Sequence, residues 1–303
     1  MHTFITGGTG LIGSGLVRSL LKQGDSVTVY TRNAALARQK FGPSVNCCTD
    51  LNNVKSFDGF DAVVNLAGEP IAPGRWTADK KDRIAQSRWN ITEQLVSRIK
   101  AADKPPSVFL SGSAVGYYGN QGRAIVTEDS YAQPSFLQSV CQKWEAQAFK
   151  AVSEKTRVVV SRTGIVMSAT GGMLAKLLPV FKLGLGAPIG KGEQGLSWVH
   201  RQDMVDMLLF LLRNESAQGA FNLTSPHPLS NREFAQALAH TLRRPCLPAI
   251  PSWVIKLALG EASEMLLDGQ YVVPKKMVDL GFTFAFPRID AALQSILEHG
   301  DAF

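Results

Sequence analysis

The chain has 303 residues, 45% of them hydrophobic and 19% charged, a globular makeup with room for one large domain or two smaller ones. No apolar run approaches the roughly 18–20 uncharged residues that a membrane span requires; the longest, Met204–Leu212, is short and carries Asp206. The net charge of +7 admits an acidic ligand, but the basic residues are scattered apart from Lys80-Lys81, Arg243-Arg244 and Lys275-Lys276, so neither nucleic acid nor a membrane is expected as a partner.

Met1-His2-Thr3-Phe4-Ile5 runs straight into a glycine loop, without the basic region and long apolar stretch of a signal peptide, so a cytoplasmic location is expected. Next along the chain, short β-branched runs alternate with helical patterns. Strands are predicted at Thr3–Thr6, Ser26–Thr31, Val45–Cys48, Ala62–Leu66, Ser107–Leu110 and Arg157–Ser161, and helices at Leu11–Lys22, Ala34–Lys40, Ala78–Lys100 and Phe136–Val152. That alternation predicts a doubly wound parallel sheet with right-handed crossovers. Wholly apolar strand centres such as Val158-Val159-Val160 fit a sheet covered on both faces.

After Ser161 the rhythm breaks. A helix is predicted over Met173–Phe181, then the glycine-rich Gly184–Gly195, a strand at Leu196–Val199 and a helix over Asp203–Arg213 with Asp203 as its N-cap. A strand at Ala220–Thr224 precedes a helix at Ser230–Thr241, where Ser230 and Glu233 make a capping-box pattern. Helical patterns return at Trp253–Leu259, Lys275–Leu280 and Ile289–Leu297. Cys47, Cys48, Cys141 and Cys246 show neither a CxxC pair nor regular spacing, so no metal site is expected and the thiols are expected reduced and mostly buried.

The motif that carries most chemistry is Thr6-Gly7-Gly8-Thr9-Gly10-Leu11-Ile12-Gly13, between the first strand and an amphipathic helix. Glycines there let the backbone approach a pyrophosphate, and the helix N-terminus offers free N–H groups to it. A dinucleotide is the expected ligand, with Gly7, Thr9, Gly10, Leu11, Ile12 and Gly13 as contacts. The second strand ends at Thr31-Arg32 with no carboxylate. An Asp or Glu there, about 20 residues past the glycines, would hold the ribose hydroxyls of NAD. A guanidinium suits the 2′-phosphate of NADP instead, so NADP(H) is expected, with Thr31 and Arg32 at its adenosine end.

Gly7, Gly10 and Gly13 have the GxxGxxG spacing of the extended short-chain dehydrogenase/reductase superfamily, the NAD(P)-dependent epimerase/dehydratases, which the chain resembles. Val63-Val64-Asn65-Leu66-Ala67-Gly68 resembles the fourth-strand motif beside the cofactor, and Asn90 with Thr92 the helix asparagine region. Ser111-Gly112-Ser113-Ala114-Val115-Gly116-Tyr117-Tyr118-Gly119 resembles the fifth-strand SSxxVYG region, Arg162-Thr163-Gly164-Ile165-Val166 the sixth-strand segment, and Trp198-Val199-His200-Arg201-Gln202-Asp203 the later VHVxD stretch. Asn65-Leu66-Ala67-Gly68-Glu69-Pro70-Ile71, Gly74-Arg75-Trp76, Lys143-Trp144-Glu145 and Gly260-Glu261 are similar to the YfcH-type epimerase family proteins across essentially the whole chain. The resemblance implies a Rossmann-type sheet of about seven strands with a smaller, mainly helical C-terminal substrate region. It implies a cofactor domain over 1–167, rejoined by the strand near 220–224, and a substrate region over 168–303 whose family-type module starts near 248. Leu66, Ala67, Gly68, Arg88 and Val166 join the expected cofactor contacts, and pairing into a homodimer through the long helices is a branch habit.

The superfamily's reaction uses a Tyr as acid/base, a Lys four residues later, and a Ser that orients the substrate oxygen. Ser113 matches the serine. In Phe136–Glu145 no Tyr stands four residues before any Lys. One register puts Leu137 and Cys141 in their places, another Ser139 and Lys143, and a serine hydroxyl is far less acidic than a phenol of pKa about 10. Tyr117 or Tyr118 is a substitute, Tyr117 being preferred, alongside Cys141; His200 is expected to orient a loop, Glu69 to line the cleft, and Trp76 and Trp89 to pack in the core. Two readings follow: an NADP(H)-dependent oxidoreductase or epimerase-like enzyme acting on a small polar, sugar- or nucleotide-linked substrate, with Ser113 and Tyr117 at the chemistry, or a catalytically silent NADP-binding sensor or partner-binding module.

Overall fold

A computed structural model of the chain describes residues 1–71 and 74–300. Seven parallel strands make the central sheet: β1 (His2–Thr6), β2 (Ser26–Tyr30), β3 (Asn46–Cys48), β4 (Ala62–Asn65), β5 (Val108–Ala114), β6 (Arg157–Thr163) and β7 (Gly219–Leu223). Their spatial order is β7-β6-β5-β4-β1-β2-β3. Around them lie α1 (Leu11–Lys22), α2 (Ala34–Phe41), α3 (Ala78–Lys100), α4 (Phe136–Phe149), α5 (Gly172–Lys182), α6 (Arg201–Arg213), α7 (Asn231–Thr241) and α8 (Ser252–Leu259), then short helical turns and a terminal helix, Ile289–His299.

Strand alternation divides the apolar residues between two cores. Ile5, Val64, Leu110 and Val159 bury one face with Leu16 and Leu208, while Phe4, Val63, Phe109, Val158 and Val160 bury the other with Leu95 and Ala148. Each such side chain, fully buried, contributes on the order of 1.5–3 kcal/mol. A third core, built on Leu174, Phe181, Trp198, Phe234, Leu238 and Leu293, lies outside the sheet. The apolar run Met204–Leu212 falls inside α6 and is almost wholly buried. Among the described residues no helix is long and apolar enough to cross a membrane.

Several expectations are corrected. The stretch Leu196–Val199 is not one strand: Gly195–Leu196 pairs antiparallel with Leu229–Ser230, and Trp198–His200 pairs parallel with Ile165–Met167. Ser197 breaks it, because its hydroxyl donates to Gln270 O and accepts from Val272 N of the crossing tail. α6 starts at Arg201, capped by His200, whose Nδ1 accepts from Gln202 N. Asp203 is buried and accepts instead from Ala285 N and Phe286 N. α4 ends at Phe149, where tighter i→i−3 bonds replace the helical ones. The four cysteines are free thiols, yet only Cys141 is buried.

Candidate functional site

β1 lies between β2 and β4, so the chain leaves the sheet in opposite directions from β1 and β4 and opens a crevice at their carboxyl ends. Gly7 turns there with φ +69°, and a Cβ on it would stand 2.5 Å from Leu66 O. Gly10 N donates to Gly7 O at 3.0 Å. A Cβ on Gly13 would fall on that same carbonyl, well inside van der Waals contact. Only glycine fits either place. The two loops are also tied from below, Thr6 Oγ1 donating to Asn65 Oδ1 at 2.7 Å and Asn65 Nδ2 to Thr92 Oγ1 at 2.9 Å.

α1 starts after Gly10 with no side-chain cap and no acid in its first turn, which leaves its N-terminal N–H groups facing the crevice. Leu11 and Ile12 are half-buried, and Gly171, before α5, packs on the Leu11 side chain. Val166 is buried, with its carbonyl oxygen beneath Gly172. The loop is ringed by cations. Lys40 Nζ donates to Thr9 O at 3.0 Å, and burial, Arg18 and Arg201 together lower its pKa. Arg201 is buried, donating from Nε to Leu11 O and from Nη2 to Ser14 Oγ.

At the end of β2, Thr31 N donates to Cys48 O, while Asn33 caps α2. Arg32 between them is exposed. Across the crevice Glu69 pairs with Lys80 at 2.9 Å; that bond, the Lys80 charge and, more weakly, Arg83 and Arg32 hold its carboxyl below its ordinary value. Leu66 and Ala67 are half-buried and Gly68 exposed. Arg88 lies under Gly68, where a Cβ would stand 2.9 Å from its Cζ. Its Nη1 donates to Ile84 O and Glu69 O, and its guanidinium rests over the Trp144 ring. Arg88 thus braces the loop from behind.

A buried polar cluster lies where β5, β6 and α4 meet. Ser113 is 5% exposed and donates its hydroxyl to Glu145 Oε1 at 2.6 Å. Arg162 donates to both oxygens of that carboxylate, Nε at 3.0 Å and Nη2 at 2.8 Å. Arg162 Nη1 reaches Tyr118 Oη, which donates to Asn222 Oδ1. Tyr118 is fully buried, and desolvation pushes its pKa up to about 12. Tyr117 is half-buried, its ring 3.6 Å from the Arg162 guanidinium carbon.

Of the two registers for α4, the fold brings the first to the site. Cys141 is buried beside Ser113, its thiol pushed up to about 11 by burial and by Glu145, and Leu137 packs on Gly116. Ser139 and Lys143 are exposed, Lys143 lying over the half-buried Trp89. Trp76 is core. Sequence reasoning did not assign roles to Glu145, Arg162, Lys40 or Arg201. Glu145 and Arg162 stand in segments that already matched family words, which is the one signal pointing to them.

The family model described as the NAD dependent epimerase/dehydratase family matches residues 3–224, and a domain of unknown function (DUF1731) matches residues 250–296. The Arabidopsis thaliana epimerase family protein SDR39U1 homolog, chloroplastic, is 36% identical over 98% of this chain and 87% of its own length. The crystal structure of human epimerase family protein SDR39U1 with NADPH is 33% identical, with a TM-score of 0.90 over 99% of this chain and 100% of that one. A nucleoside-diphosphate sugar epimerase from Corynebacterium glutamicum is 28% identical, with a TM-score of 0.80 over 99% of this chain and 59% of that one. With its glycine loop, seven-stranded order and near full-length matches, the chain belongs to the NAD dependent epimerase/dehydratase family.

Proposed function

We propose that the crevice binds NADP(H) and that the protein is an oxidoreductase or epimerase-like enzyme for a small polar, hydroxyl-bearing substrate. The carrying observation is the cradle itself: Gly7 and Gly13 stand where a Cβ would strike the backbone, beneath an uncapped helix N-terminus. Arg32, exposed where an NAD site would carry a carboxylate, supplies a guanidinium for a 2′-phosphate. Leu11, Ile12 and Val166 line the apolar side, while Leu66, Ala67 and Gly68 form the opposite wall, braced by Arg88. The cofactor supplies or accepts a hydride when bound. The NADPH in the human relative's crystal structure supports the choice of cofactor.

Ser113 has its proton engaged by Glu145, so its oxygen offers lone pairs to a substrate hydroxyl or amide. Tyr117, half-buried and held by its stack on Arg162, serves as the proton donor. The rival reading, a silent NADP-binding module, is favoured by one observation: no Tyr/Lys pair occupies α4.

Titration with NADPH and NADH, alongside Arg32→Ala, tests the proposal. The variant is expected to weaken NADPH by roughly tenfold or more, the loss of one charge-assisted bond of about 1.5–3 kcal/mol, and to leave NADH unchanged. Failure of the wild type to bind either nucleotide would overturn the reading. Turnover of any member of a carbonyl and alcohol panel, lost in Tyr117→Phe, favours the enzyme; binding without turnover favours the silent module.

A further inference from the structure

Six of the twelve large apolar side chains that are exposed among the described residues lie on two stretches of chain: Val180, Leu183, Leu185, Leu247, Trp253 and Leu257. The fold joins these stretches. Leu247 N donates to Gly186 O, Ile250 N to Pro188 O and Gly190 N to Ile250 O, each at 2.8 Å. Pro245 packs beside Gly184, and Ser252 beside Gly190. Trp253 and Leu257 stand four residues apart on one face of α8, 67% and 69% exposed, and α8 has no buried residue.

The same stretches are acid-free. Residues 172–192 and 234–260 contain no Asp or Glu, while Lys176, Lys182, Arg243, Arg244 and Lys256 are all exposed on them. None of the five has an ion-pair partner among the described residues. Lys176, Val180 and Leu183 follow one another down one side of α5 and its exit. An apolar ridge flanked by unpaired cations, with Glu193 and Glu261 only at its margins and paired to Arg123 and Lys81, is complementary to a bilayer bearing negative headgroups.

We propose that this ridge is a peripheral docking surface for an anionic phospholipid membrane, with Trp253 and Leu257 entering the headgroup boundary and the five cations meeting the lipid charges. The sequence read in order shows no membrane element, because the two stretches lie some 60 residues apart and meet only in the fold. The contact is on the surface and needs no spanning helix. It is independent of whether the crevice is catalytically active.

The test is sedimentation of the full chain with vesicles of phosphatidylcholine alone and of phosphatidylcholine mixed with phosphatidylglycerol, read beside tryptophan emission. Trp76, Trp144 and Trp198 are buried and Trp89 half-buried, so a blue shift reports on Trp253. Binding to the mixed vesicles only, reversed by high salt and accompanied by that shift, is expected. Lys182→Gln, Arg244→Gln and Lys256→Gln should each weaken partitioning about fivefold. Trp253→Ser with Leu257→Ser should abolish it while leaving the melting temperature unchanged, since neither side chain is buried. Absence of binding to the mixed vesicles, or binding that survives both sets of substitutions, would overturn the proposal. So would a concentration-dependent dimer dissolved by the Trp253/Leu257 pair, which would assign the ridge to a second copy of the chain.

Discussion

The Ser113 hydroxyl donates to the Glu145 carboxylate across 2.6 Å. The superfamily's reaction uses a serine to orient the substrate oxygen and a phenol as the acid/base. In this chain the serine hydroxyl is oriented by a carboxylate that Arg162 grips with two N–H groups, so the oxygen presents lone pairs instead.

Glu145→Gln should be strongly destabilising. Both Glu145 and Arg162 are buried, and removing one charge leaves the other without its counter-charge, an effect of roughly 3–5 kcal/mol. Denaturant midpoints measure it. Combining it with Arg162→Met should recover part of the loss; a single-variant loss below about 1 kcal/mol would place the pair in the weak class of surface ion pairs.

Gly13→Ala should cost about 1–3 kcal/mol by overpacking and weaken NADPH by at least tenfold, because its Cβ pushes on the Gly7 carbonyl. Gly24→Ala is the control. Its φ of +82° is strained by a side chain, yet nothing lies within 4 Å, so stability falls by about 1–2 kcal/mol with nucleotide affinity unchanged. Calorimetric titration separates the two.

Cys141 should resist alkylation in the native protein. With its pKa pushed up to about 11, only about a thousandth is thiolate at pH 8, and the side chain is buried. Mass spectrometry after iodoacetamide should find Cys141 modified only once the chain is unfolded. Native labelling of Cys141 as fast as the half-buried Cys47 would contradict this burial.

Asp203 gives the fold a pH dependence. Burial raises its carboxyl above the ordinary 3.8, against the opposing bonds from Ala285 N and Phe286 N. The folded state therefore holds the proton more tightly than the unfolded one. This contribution is fully present below the ordinary value and is lost as pH rises through the raised one. Asp203→Asn removes the titration but keeps only one acceptor oxygen for two N–H groups, costing about 1–3 kcal/mol. The stability advantage of wild type over the variant should shrink as pH rises from about 4 towards neutrality; an advantage constant with pH would show an unshifted carboxyl.

What was legible in the sequence was what neighbouring residues decide. α1 and α3 begin and end where their patterns do, and Ser230 with Glu233 closes the expected capping box. The glycine loop was legible because φ and close approach restrict those positions to one residue type. Asp203 has the sequence pattern of a cap but not the role, because its partners, Ala285 and Phe286, come some 80 residues later. Leu196–Val199 has the pattern of one strand but is divided, because the tail near Gln270 crosses it. Ser113, Glu145 and Arg162 come from β5, α4 and β6, and no local word shows that three polar groups will be buried against one another.

The return of the chain through β7 sets the order in which the protein can be made. β7 pairs with β6 from Gly219 to Leu223, after the whole of α5 and α6 has been synthesised. Until then the apolar Val158-Val159-Val160 edge has no neighbour on its outer side, and the two N–H groups that Arg157 gives to Leu212 O and Ala217 O bond to water instead. A nascent chain cut after β6 would therefore expose a seven-residue sheet edge with the apolar centre Val158-Val159-Val160, a form prone to pair with another copy. On the ribosome, the seven-stranded sheet cannot be completed until α5 and α6 have been made, so its last strand closes late.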